Sequence, residues 1–320
     1  MSTIQEIGVE FIQYLQTFHP QLDGVMAFFA IFVKAEYFMV FILPFLYWNF
    51  GNRFFIKLII FVLLDILIGE ILRIALAQPR PWWIAEMIPI DAVTSVYSSP
   101  AGYSSFTTLF FGFLAYHFKK KIITFLCVFI IIATSIAKLY EAATLIDHLF
   151  LGILQGGILL WLFIKKSDFI VDWVISLNKN NVILLSIGTT IIFYGFTYLI
   201  ANIQLSYELP QSMIKYKIIP IERLANGATV FGTGFLISSL LSLKFNLLNH
   251  TNAILKINIW RRIIGTIIGL IIVFGVFIIL RTSLVNLFFN DLIVGVLNLT
   301  ITIITGLWIY VWFPKLYYKK

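Results

Sequence analysis

The sequence predicts an all-α, polytopic integral membrane helical bundle of about nine transmembrane helices, and three observations predict it. Hydrophobic residues make up 60% of the 320-residue chain and charged residues only 12%, against about half and about a quarter in a soluble domain. Apolar runs of about 20 residues recur along the whole length, which is what a helix needs to cross a hydrocarbon core about 30 Å thick. The cations fall in short clusters between those runs, where topogenic charge belongs.

Residues 3–18 place Ile4, Ile7, Phe11, Leu15 and Phe18 at helical spacing, with Glu6, Glu10, Gln13 and Gln16 elsewhere on the wheel. This pattern predicts an amphipathic helix lying in the membrane interface. Spanning helices are then expected over 25–47, 54–77, 101–118, 122–136 and 145–164, an amphipathic connector over 167–177, and four more spans over 182–203, 225–243, 263–280 and 292–313. Three parts follow: an interfacial helix (1–20), a membrane core (21–166), and a connector leading into a second membrane block (167–320).

Alternating the loops across the bilayer puts the Lys119–Lys120–Lys121 cluster, Lys165, Lys166, Arg261, Arg262 and the C-terminal lysines on one side. By the positive-inside rule that side is cytoplasmic, so the N-terminus is external and the C-terminus internal. The same alternation brings the loop 78–100 and the short connection 138–144 to the external side. Gly152 and Gly156, and Gly265 and Gly269, make the four-residue glycine spacing of closely packed membrane helices.

Several classes are excluded. The formal charge of +8 never forms a basic stripe interleaved with aromatics, so no nucleic-acid partner is expected. Cys127 is the single cysteine, which rules out an intrachain disulfide or a cysteine-built metal site. Glu6 and Glu10, with no basic residue ahead of the apolar stretches, argue against a cleavable signal peptide. Lys34, Glu36 and Asp65 lie within apolar runs, where an ionisable group marks function by default.

The unusual chemistry collects in three stretches: Arg73 with Arg80–Pro81 seven residues on; Pro100–Ala101–Gly102–Tyr103; and Ala137–Lys138 followed by Thr144 and His148. In order and spacing they resemble the signature motifs of the type 2 phosphatidic acid phosphatase family, the lipid phosphate phosphatase and haloperoxidase-like proteins. There the motifs read Lys-x6-Arg-Pro, Pro-Ser-Gly-His and Ser-Arg-x5-His-x3-Asp. Here Arg73 stands for the lysine, Ala101 for the serine and Tyr103 for the histidine of the second motif. Ala137, Lys138, Thr144 and His148 fill the serine, arginine, histidine and aspartate positions of the third. The wider pattern looks like a bacterial subgroup with extra C-terminal helices, which implies a bacterial inner membrane with the site on the extracytoplasmic side.

The resemblance implies a phosphatase-like core in which the third-motif histidine attacks phosphorus, its aspartate orients that ring, and the second-motif histidine protonates the leaving alcohol, with no metal or other cofactor. At the catalytic positions Thr144 is a poor nucleophile without an adjacent base, and Tyr103 is a phenol reluctant to release a proton at neutral pH. General acid catalysis alone contributes about 10²- to 10⁴-fold. His148, next to Asp147, is a displaced candidate nucleophile only if it shifts by about one helical turn. What the substitutions spare is electrostatic: Arg73, Arg80, Lys138 and the backbone near Gly102 can still hold a phosphate, although Glu70 is placed to pair with Arg73.

The expected function is recognition of a phosphorylated membrane lipid at the extracytoplasmic face by a pseudoenzyme. The alternative is an active phosphatase acting on phosphatidate, phosphatidylglycerol phosphate or a polyprenyl diphosphate through substituted residues. A second alternative is lipid transport or scaffolding by the later helices, motivated by the cluster of Lys215, Lys217, Glu222 and Arg223.

Overall fold

A computed structural model describes residues 3–31, 42–50, 53–90, 97–205, 228–244, 258–279 and 291–317. All regular structure among the described residues is helical. In chain order the helices are α1 (Thr3–Gln16), α2 (Asp23–Ile31), α3 (Leu43–Phe50), α4 (Arg53–Leu76), α5 (Pro81–Ile84), α6 (Gly102–Phe118), α7 (Lys121–Tyr140), α8 (Ile146–Ser176), α9 (Lys179–Leu205), α10 (Ala228–Lys244), α11 (Ile259–Phe274), α12 (Asp291–Leu307) and α13 (Phe313–Tyr317). A π-helical turn, Gly275–Ile279, extends α11, and another, Trp308–Trp312, joins α12 to α13.

The protein is a membrane-integral helical bundle. Among the described residues four helical stretches are long and apolar enough to cross a membrane: Lys121–Tyr140, Ile146–Ser176, Lys179–Ile203 and Ile293–Leu316, with a shorter apolar stretch at Gly232–Leu243. The difference from nine expected spans has identifiable sources. Helix α4 has 24 residues but carries Lys57, Asp65, Glu70 and Arg73, and α6 has only 17. The expected spans 25–47 and 263–280 run into residues outside the description, as do Lys34, Glu36, Lys215, Lys217, Glu222 and Arg223. One expectation is corrected: residues 167–176 are not a separate connector but the last turns of α8. The helix continues because Val171 and Val174 still present a buried apolar face, and Lys57 pairs with Asp168 on the exposed one.

Contacts divide the chain into two compact units, one built from 1–34, 68–162 and 199–219, the other from 35–67, 163–198 and 220–320. In the first, α6 and α7 fold back on each other across Lys119, which takes the left-handed conformation that ends α6. Helix α6 also lies directly on α8. A Cβ at Gly152 would collide with the Ala101 carbonyl and the Ser104 hydroxyl, and one at Gly156 with the Ser105 carbonyl. The glycine spacing therefore serves close packing, and Ser104 Oγ donates across it to the Leu149 carbonyl at 3.1 Å.

Helix α1 is amphipathic in a way the wheel only half foretells. Ile4, Ile7, Phe11 and Phe18 are exposed, as an interface-seated face requires. The opposite side, Val9 and Ile12, is buried against Ala101, Leu139, Ala142, Leu145 and Leu149. Gln16 fixes the orientation: its Nε2 donates to the Ile88 and Tyr140 carbonyls at 2.7 and 3.0 Å, and its Oε1 accepts from the Ile88 N–H at 3.0 Å.

The second unit shows how a bilayer-bound chain handles irregular backbone. A π-helical turn shifts the hydrogen-bond ladder and exposes carbonyls, which lipid cannot satisfy. Here the Trp48 indole donates to the Ile309 carbonyl at 2.8 Å and the Tyr47 hydroxyl to the Tyr310 carbonyl at 3.2 Å. Gly269 makes room for Trp48, since a Cβ there would stand 2.5 Å from the indole. Helices α10 and α12 meet through Gly234 against Thr302 and Gly306 against Ser238.

Overpacking a tight helix contact costs about 1–3 kcal/mol. Gly156→Ala and Gly152→Ala are each expected to lower the thermal denaturation midpoint of the detergent-solubilised protein. Gly157→Ala, with open space around its Cβ, serves as the control and should leave that midpoint unchanged.

Candidate functional site

Three chain segments meet in the first unit, and each is shaped by its own local chemistry. Helix α4 ends at Leu76, and Ala77 takes φ 46° while its N–H donates to the Arg73 carbonyl at 3.1 Å. Arg80 then adopts an extended N-cap conformation before Pro81, whose fixed φ suits the first position of α5. The loop closes where the Ser98 N–H donates to the Gln78 carbonyl at 3.0 Å. Trp83 and Tyr97 anchor it with Ile74 and Ala201, and burial pushes the Tyr97 phenol pKa up.

The end of α7 is a Schellman turn. The Ala142 N–H reaches the Leu139 carbonyl at 2.9 Å and the Ala143 N–H the Lys138 carbonyl at 3.0 Å, with Ala142 at φ 51°. An alanine in this region is strained by about 1–2 kcal/mol, and the strain directs the Ala143 carbonyl into the cluster. Arg80 Nη1 donates to that carbonyl at 3.0 Å and Ser98 Oγ lies 3.3 Å from it. Arg80 is itself buried.

Arg73 lies in the last turn of α4. Its Nε donates to the Gly69 carbonyl at 3.1 Å and its Nη2 is 3.5 Å from a carboxylate oxygen of fully buried Glu70. The ion pair expected from their spacing is therefore present. The same guanidinium covers the start of α6, where a Cβ on Gly102 would stand 3.5–3.8 Å from its atoms.

Lys138 is not in a loop but in the last turn of α7, with 0% of its side chain exposed. Its ammonium donates to Glu141 at 2.6 Å and sits 4.4 Å above the centroid of the Tyr103 ring. Tyr103 thus offers its face to a cation.

Thr144 is buried, with its Oγ1 3.2 Å from Ser98 Oγ and 3.5 Å from the Leu145 carbonyl. Neither neighbour is a base. Thr144 precedes α8, which begins at Ile146, whereas His148 lies in its first turn. His148 is 1% exposed; its Nε2 is 3.8 Å from Asp147, and among the described residues both ring nitrogens lack a hydrogen bond. Its carbonyl accepts the Ala101 N–H at 3.0 Å, and the Arg80 charge acts on its ring.

Named contacts therefore join the first segment to the second (Arg73 to Gly102), the second to the third (Tyr103 to Lys138, Ala101 to His148) and the first to the third (Arg80 to Ala143). Sequence reasoning missed Ser98, buried Ser99, the Ala143 carbonyl, and the docking of Gln13 and Gln16 onto the loop at Glu86 and Ile88. None carries a local signal. The Pro79–Arg80–Pro81–Trp82–Trp83 run was the nearest clue that this loop is rigid.

Comparison with known proteins agrees with the motif reading. No curated protein and no solved structure matches the chain significantly. The family model of the PAP2 superfamily matches residues 54–171, which contain all three segments. The match supports a type 2 phosphatidic acid phosphatase-like family for the region that carries the three segments.

Proposed function

We propose that the protein recognises a phosphorylated lipid headgroup at the extracytoplasmic face of its membrane without hydrolysing it. One observation carries the reading: the three cation-bearing segments contact one another, while among the described residues the hydroxyl at the nucleophile position has another hydroxyl and a carbonyl as its neighbours. Arg80 and Arg73 bind the phosphate oxygens, aided by backbone N–H groups at the Gly102 end of α6, and Lys138 supplies a more distant charge. Helix α1 seats its exposed Ile4, Ile7 and Phe11 face in the interface and covers the three segments from that side.

A specific observation favours a second reading, an active phosphatase. His148 is buried beside Asp147, with no hydrogen bond to its ring nitrogens among the described residues, and an imidazole with a free nitrogen is a competent nucleophile. The readings separate on phosphate release. Purified protein in detergent, given phosphatidate, phosphatidylglycerol phosphate or a polyprenyl diphosphate, is expected to release no phosphate above the level of a His148→Ala, Thr144→Ala double variant. Release that falls when either residue is changed would establish the enzyme instead.

Lipid retention tests the binding role. Native mass spectrometry of Arg80→Gln is expected to find phospholipid occupancy reduced by about tenfold or more, since a hydrogen bond to a charged group contributes about 1.5–3 kcal/mol. Unchanged occupancy in a variant of normal thermal stability would remove Arg80 from the site. Loss on changing Lys215 and Arg223 instead would favour transport by the later helices.

Sidedness is open to labelling. Cys127 is buried, so background is low. Glu86→Cys is expected to react with a membrane-impermeant maleimide on intact cells and Lys120→Cys only after lysis; the reverse pattern would invert the topology.

A further inference from the structure

The cluster that would receive a headgroup is closed. Arg80 is 6% exposed, Thr144 and His148 1% and Lys138 0%, so a phosphate reaches them only after some packed element moves. Helix α1 packs on the segments that carry them. A Cβ on Gly8 would stand 3.5 Å from the Leu145 side chain and 3.7 Å from the Ile146 nitrogen. Val9 and Ile12 share one buried cluster with Ala101, Ala142 and Leu145, which lie in the second and third segments.

The hold on α1 is slight. Of its 14 residues the buried ones are Gly8, Val9 and Ile12, while Ile4, Ile7, Phe11 and Tyr14 are exposed. Side-chain bonds add to it: Gln13 Nε2 donates to the Glu86 carbonyl at 3.3 Å, and Gln16 bridges the Ile88 backbone and the Tyr140 carbonyl. An element with few buried contacts and exposed hydrogen bonds opens locally, without global unfolding. Helix α2 is seated differently, packed along α7 with the Phe29 ring 5.9 Å from that of Phe129. The turns over 17–22 that join the two helices are braced at one carboxylate. Asp23 Oδ1 lies 2.8 Å from His19 Nδ1 and accepts from the Tyr140 hydroxyl at the end of α7, and bonds to an ionised acceptor are the strong ones. Both helices precede the family-matched residues 54–171, so the three motifs assign them no role.

On the recognition reading above, we infer that α1 is a lid on the headgroup site, hinged over 17–22, with Gln16 as its catch and Asp23 as the brace that keeps the hinge closed. Opening carries α1 outward along the interface while α2 stays on α7, and uncovers Ala101 and Leu145 to a headgroup arriving from the bilayer surface. Lipid then enters and leaves at a rate set by the lid.

Cysteine labelling tests the lid without any ligand. In a Cys127→Ala background, Ala101→Cys reports from the cluster that holds Val9 and Ile12. Ser105→Cys reports from a buried position against α8 at Gly156. Both are treated with methyl methanethiosulfonate in detergent. Asp23→Asn and Gln16→Ala are each expected to speed modification of Ala101→Cys by about tenfold, as the loss of one or two hydrogen bonds should, and to leave Ser105→Cys unchanged. No acceleration at Ala101→Cys in either variant overturns the lid, and so does an equal rise at Ser105→Cys, the mark of general loosening. Should Ala101→Cys fail to fold, Leu149→Cys reports from the same cluster. With nitrobenzoxadiazole-labelled phosphatidate as probe, the two variants are expected to take up and release lipid about tenfold faster, with the dissociation constant unchanged within about twofold. A weakened constant at an unchanged uptake rate would make Gln16 and Asp23 supports of the site and overturn the lid. A wild-type protein that binds none of the probe overturns the recognition reading, and the cysteine rates still decide the lid.

Discussion

Gly152 and Gly156 leave no side chain between α8 and the backbone of Ala101–Ser105, and the geometry of the candidate site follows from that closeness. With the helices so near, the Ala101 N–H reaches the His148 carbonyl and the Ser104 hydroxyl reaches that of Leu149. The start of α6 is thereby fixed against the first turn of α8. Tyr103, one residue beyond Gly102, then lies beneath Lys138, and Arg73 covers Gly102 itself. A bulky residue at either glycine would push these segments apart.

The second constraint is the medium. A chain that exposes many Ile, Leu and Phe side chains has no water within its bilayer-buried part to take up stray polar groups, so they are best answered internally. The same solution recurs on different chemistry. Trp48 and Tyr47 answer the carbonyls of a π-helical turn. Ser238, Ser239, Thr302 and Thr305 return their hydroxyls to carbonyls of their own helices. Glu70 and Glu141 answer Arg73 and Lys138. Charge pairing in this cluster is thus one more instance of the same solution.

Sequence periodicity carried the helices well, because hydropathy reports directly on the solvent each residue meets: 101–118 and 182–203 correspond closely to α6 and α9. It failed where the boundary depends on something else. Residues 167–176 look like a connector by hydropathy but remain helical because Val171 and Val174 keep a packing face. The site was legible as three separate segments, since Arg73, Arg80 and Lys138 stand at recognisable spacings. Their mutual contacts were not. That the Ala143 carbonyl would take the Arg80 guanidinium depends on a left-handed alanine at position 142, and nothing in an Ala–Ala pair announces a positive φ. The docking of Val9 and Ile12 was hidden by a stronger apolar pattern on the opposite face of α1.

The distribution of unanswered groups separates binding from catalysis. Arg80 and Lys138 have partners supplied by the fold, and so are held in place before any ligand arrives, which suits a site that must be preorganised. Thr144 is also held, but by Ser98 and the Leu145 carbonyl, which leaves its oxygen without a group to take its proton. Among the described residues the His148 imidazole, like the Ser99 hydroxyl, is buried without a hydrogen bond to its polar atoms. Burial without a hydrogen bond is costly. A bound headgroup oxygen donating to, or accepting from, the imidazole would relieve the cost without any bond to phosphorus being made, and a recognition site would then retain a histidine that an enzyme would have needed one turn earlier.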